Sequence, residues 1–90
     1  MSKEAKMREL ITKNELSTHE VSLMPLVLLR LWRDACESLI VILECEKVLL
    51  DSVEVKAIVM DDIRMAEKNL ATIKGGEALH KLGLGNLNLN

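Results

Sequence analysis

Apolar residues recur at helical spacing over most of this chain, and the rhythm breaks in two places. In KEAKMRELITK, Met7, Leu10 and Ile11 share one side, so residues 2–13 predict a short first helix. NELSTHEVS, residues 14–22, is rich in Asn, Ser and Thr and reads as a loop. Pro25 suits the first turn of a second helix, which no later Gly or Pro interrupts before about Leu50, so it spans about Met24 to Leu50. On that helix Leu28, Leu31, Trp32, Ala35, Cys36, Leu39, Ile40, Ile42, Leu43, Leu49 and Leu50 cover about half the circumference. Arg30, Arg33, Asp34, Glu37, Glu44 and Asp51 line the other half, with Arg33 and Glu37 at pairing distance, and Val41 and Val48 fall among them. A stripe about 100° wide is enough for a helix resting on one core. This stripe is wider, and the excess asks for a second surface to cover it.

The second break is Val53–Val59, short and β-branched, which reads as a loop with a brief strand. Asp61 and Asp62 then open a third helix whose apolar face is Ile63, Ala66, Leu70 and Ile73. Lys74 sits in its last turn and Gly75-Gly76 ends it. EALHKL adds at most one more helical turn, and GLGNLNLN, residues 83–90, has no packing pattern and reads as a disordered or partner-dependent tail. The expected organisation is one domain over residues 1–74 and a tail over 75–90.

Composition narrows the chemistry. Ninety residues make one small domain, and with 49% hydrophobic residues but one Trp and no Phe or Tyr, its core is aliphatic. A net charge of −2 argues against a protein made mainly to coat nucleic acid, while leaving room for local basic patches. The charged start lacks a secretory h-region, and the longest uncharged run near the middle, Val21–Leu29, is far too short for a membrane span. Cys36 and Cys45 on one helix would lie about 13.5 Å apart along its axis, so they cannot bridge each other. Unpaired cysteines fit a reducing, intracellular compartment, and both are expected as inert core residues.

Paired aspartates can hold a metal, but that needs further ligands, and the only histidines are His19 in the loop and His80 in the tail. Asp61 and Asp62 are better explained by a helix N-terminus, which favours negative charge. Glu46 lies inside the apolar stripe and is expected at its rim or reaching a partner's Arg. No phosphate-binding Gly-rich loop and no Ser/His/Asp set is present, so no enzyme and no cofactor are expected.

Short helix, loop, long helix, strand-like loop, short helix is the layout of the histone fold. RDACESLIVILECEKVLLDSVEVKAIVMDDIRMAEKNL resembles the second half of the central core histone that pairs with the H-four type, and MRELITKN resembles that family's first helix. The resemblance spans about residues 7 to 74. It implies an all-α histone fold forming a head-to-tail handshake dimer, with an H-four-like histone-fold chain or with itself. Leu28, Trp32, Leu39, Ile42, Leu43 and Leu49 would form the dimer interface. It further implies a structural clamp between Lys56 in the second loop and Asp62 at the start of the last helix. Lys3, Lys6, Arg8, Lys13 and Lys56 would touch DNA phosphates. The chain departs from the family in having no long basic tail, in Glu15 and Glu20 where nucleosomal histones offer an arginine, and in Ser52 at the tetramer-forming histidine.

The resemblance therefore implies a divergent core-histone-like protein that binds and organises DNA, located at chromatin in a nucleus or in a viral nucleoprotein. The rival expectation is a histone-fold interaction subunit of a transcription or centromere assembly with little DNA contact. Membrane association of an amphipathic helix is disfavoured by the mixed charges of the polar face.

Overall fold

The computed structural model describes residues 3–83, which are all-helical: α1 (Lys3–Lys13), α2 (Thr18–Ser22), α3 (Leu26–Leu49) and α4 (Val53–Lys81). The two long helices make an antiparallel hairpin closed by residues 50–52. Near the turn Lys47 lies beside Met60 and Ile63, and at the far end Arg33 reaches Glu77. α1 packs on both long helices and α2 on α4, giving a body of 51 × 24 × 17 Å. One aliphatic core runs along the hairpin. Ile11 and Val21 come from the short helices, Leu29, Cys36, Leu39 and Leu43 from α3, and Val59, Ile63, Ala66 and Ile73 from α4. The all-α class is as expected.

The second loop is not. Val53–Val59 forms the first two turns of α4, with no strand among the described residues. Ser52 supplies the start: its hydroxyl accepts the Val55 N–H at 3.3 Å, an N-cap. Val59 then falls four residues before Ile63 on the buried face, so one apolar stripe continues through Ala66 and Ile73 without a slip. Burying that stripe outweighs the modest helix cost of β-branched residues, at most about 0.7 kcal/mol each. Asp61 and Asp62 consequently sit inside a helix and do not open one. The short–long–short order is corrected too, because α4 has 29 residues against 24 in α3.

Gly75-Gly76 does not stop α4 either. A Cβ at Gly76 would overlap Val21 Cγ1, so its bare backbone is what lets α2 lie against α4; at Gly75 a Cβ would meet nothing within 4 Å. The boundary expected after residue 74 falls within the helix, which continues to Lys81. Gly83, just past the cap residue Leu82, takes a left-handed φ of 75°. The rest of the expected tail, residues 84–90, lies outside the described residues.

α2 corrects the first loop. Ser17 and Glu20 form a capping box: the Glu20 N–H donates to Ser17 Oγ at 3.0 Å, and the Ser17 N–H donates to Glu20 Oε1 at 3.2 Å. One short turn of helix is thereby fixed, and it carries Val21 into the core.

Candidate interaction face

α3 carries two apolar seams. Leu29, Cys36, Leu39 and Leu43 point into the chain's own core, with Trp32, Ala35 and Ile40 partly buried beside them. The other seam steps by threes and fours through Leu28, Leu31, Ala35, Ser38, Ile42, Cys45 and Leu49, which is heptad spacing. That second seam is bare: Leu31 is 63% exposed and Leu49 81%, and Val27, Val41 and Val48 widen it on one flank. The overwide stripe in the sequence is thus two stripes side by side. Of the expected dimer-interface residues, Leu39 and Leu43 are corrected, being buried within this chain, and Trp32 is half-buried. Leu28, Ile42 and Leu49 are exposed.

α1 extends the bare seam into a groove. Lys6, Met7, Leu10, Leu28, Leu31, Trp32 and Ala35 enclose about 320 Å³, and the depression runs on along Met7, Leu31, Ala35, Ser38 and Ile42. At the other end of α3 the apolar surface passes over the turn, where Val48, Leu49 and Val53 are exposed. A continuous apolar face of this kind marks an interaction site more often than bare solvent-facing surface.

The groove depends on how α1 is held, and polar side chains do that. Arg8 Nη1 donates to both carboxylate oxygens of Glu46, at 2.9 and 3.0 Å, and Arg8 Nη2 lies 3.5 Å from Asp62. Lys13 Nζ adds a longer contact to Asp62 at 3.9 Å. Asn69, buried on α4, donates to the carbonyls of Ile11 (2.7 Å) and Asn14 (2.8 Å) and accepts the Leu16 N–H at 2.9 Å, which closes the C-terminal end of α1. At the opposite end Arg33 donates to Glu77 Oε2 at 2.8 Å, and His80 Nε2–H donates to the Met24 carbonyl at 2.9 Å. Glu77 Oε1 is buried with no hydrogen-bond partner among the described residues.

These contacts correct several expectations. Lys56 and Asp62 lie on one helix, about 9 Å apart along it and about 120° apart around it, so they form no loop-to-helix clamp. Asp62 binds Arg8 and Lys13 in its place. Glu46 reaches an Arg of its own chain, not a partner's. Among the expected phosphate contacts, Arg8 and Lys13 are occupied by these carboxylates, Lys6 borders the apolar groove, and Lys56 is half-buried in the first turns of α4. The Lys3 side chain lies outside the described residues. Asn69 is a functional residue outside the sequence expectations, and its one signal is a polar residue in step with Ala66 and Ile73.

Among the described residues no three His, Cys, Asp or Glu side chains converge as metal ligands. No described helix is long and apolar enough to cross a membrane. Burial, and then the Glu37 carboxylate, push the Cys36 thiol up to about 11. Cys45, expected in the core, is instead exposed on the bare seam. Comparison with family models, with curated proteins and with solved structures returned no match for this chain.

Proposed function

We propose that this chain is an interaction subunit whose work is to dock another helical chain against the bare seam of α3 and the adjoining α1 groove. The observation that carries this reading is the second heptad seam of α3, exposed at Leu28, Leu31, Ile42, Cys45 and Leu49 and continuous with an apolar groove. Helix-in-groove docking reads such a face through anchors at i, i+3 and i+7. A DNA-organising, histone-like handshake subunit is the less supported reading. It calls for a longer second loop ahead of the last helix, where residues 50–52 make only a tight turn and Val53–Val59 is already helical, and for free cations on α1, where Arg8 and Lys13 contact carboxylates.

Leu31→Glu and Ile42→Glu test the proposal. Both side chains are exposed, so each variant should keep its helical content. The wild type should either self-associate or bind an apolar fluorescent dye, and the variants should do neither. A wild type that is monomeric and binds no dye would rule the docking face out.

A further inference from the structure

We propose that the occupant of this face is a second copy of the same chain, its α3 lying antiparallel across the first about a two-fold axis near Cys36 and Glu37. The inference rests on reading the bare seam as a docking face and names its partner.

Three features of α3 support self-pairing. The centre of the seam is palindromic in side-chain size: bulky at Leu31, small at Ala35 and Ser38, bulky again at Ile42, with the smaller Cys45 beyond it. An antiparallel copy therefore sets Leu28 against Cys45, Leu31 against Ile42, and Ala35 against Ser38. The small central layers allow the axes to approach to about 8 Å, the close end of helix packing.

The second feature is charge. Arg30, exposed on one flank of the seam, has no ion pair among the described residues. Glu44 lies on the same flank fourteen residues on, tied only to Lys47 of its own helix at 2.9 Å. Antiparallel pairing brings Arg30 of each copy opposite Glu44 of the other, twice per dimer. Parallel pairing would stack Arg30 on Arg30, Asp34 on Asp34 and Glu44 on Glu44, and like charges in register oppose association.

The third is the position of α1. It lines the seam's other flank from Leu28 to Ile42 and leaves the Leu49 end open. In an antiparallel pair Leu10 of each copy comes towards the uncovered Leu49 end of the other. The two faces are the same patch on each copy, which an isologous contact requires.

Sedimentation equilibrium and thiol cross-linking on the full chain test this. The wild type should be a dimer at micromolar concentration. Arg30→Glu and Glu44→Arg should each weaken the dimer at least about tenfold, and the double reversal should restore it, since it exchanges the two ends of the same pair. Leu28→Cys should join two chains through a short bis-maleimide bridging to Cys45, while the wild type should not. Cys36 is buried and does not compete for the reagent.

Cross-linking of wild-type Cys45 to Cys45, or a double reversal that fails to restore the dimer, would overturn the antiparallel copy. A wild type that stays monomeric at about 100 µM, yet loses dye binding on Leu31→Glu, would overturn the second copy and leave the docking face standing. If Leu31→Glu changes neither assembly nor dye binding, the docking face itself fails.

Discussion

Two adjacent glycines separate local propensity from packing. Gly75 faces solvent, so Gly75→Ala should stabilise the chain by about 0.5–1 kcal/mol, the difference between Gly and Ala in a helix interior. At Gly76 the same change drives a methyl group into buried Val21 and should destabilise by roughly 1–3 kcal/mol despite the better propensity. Urea midpoints moving in the same direction for both variants would contradict the close approach of α2 to α4. Cys36 gives a second expectation at this scale. Its thiol titrates near 9.0 in the unfolded chain and at about 11 when folded, first because it is buried and second because of Glu37. The folded pKa is the higher one, so this contribution is intact below pH 9 and is lost as pH rises from 9 towards 11, at about 1.4 kcal/mol per unit. Cys36→Ala should start less stable and lack that added slope when stability is followed from pH 8 to 11. Parallel profiles for the two proteins would mean the thiol is not protected by burial.

Among the elements, α4 is the one on which sequence and structure part. The rhythm and Pro25 made α3 legible almost to its ends, because a long amphipathic helix declares itself through many residues at once. Val53–Val59 misled because β-branched residues mimic a strand, while the decisive fact is that Val59 stays in step with Ile63, Ala66 and Ile73. The Ser17–Glu20 capping box has a four-residue pattern in the sequence, but the Asn, Ser and Thr around it read as a loop. The meaning of Gly76 was not, because it depends on Val21, fifty-five residues away. The contacts that hold α1 were equally hidden, since Arg8 and Glu46 are 38 residues apart and Asn69 reaches back 58 residues to Ile11. Ala57→Pro tests the helical start of α4: in a helix interior it should cost about 3 kcal/mol or more and lower the far-UV helical signal. Near-neutral behaviour in denaturant melts would return Val53–Val59 to a loop. Asn69→Ala leaves the buried Ile11 carbonyl, the partly buried Asn14 carbonyl and the Leu16 N–H without their partner and should cost roughly 2–4 kcal/mol. The loss should appear first as faster hydrogen exchange near the end of α1.

At the scale of the whole molecule, the question is whether the basic residues of α1 face outward as a nucleic-acid surface or inward as fasteners. Arg8 answers for the inward role: it bridges Glu46 on α3 and Asp62 on α4, and Asp62 is only 7% exposed. Replacing Arg8 by Glu would gather three carboxylates with Lys13 as their nearest described cation, and leaving a buried partner uncompensated costs about 3–5 kcal/mol. Arg8→Glu should therefore detach α1 and open the groove it walls, whether or not DNA is present. Lys6→Glu should leave the fold unchanged, because Lys6 is exposed at the groove edge. The pair tests what the chain binds. A chain that organises DNA through two to four phosphate contacts would bind duplex at about 50 mM salt, with log affinity falling against log salt at a slope of roughly −2 to −4. The expected outcome is no such binding by the wild type, with Arg8→Glu felt in melting temperature and assembly alone. Salt-dependent duplex binding that Lys6→Glu abolishes without loss of fold would reverse that assignment and make α1 a phosphate-contacting helix.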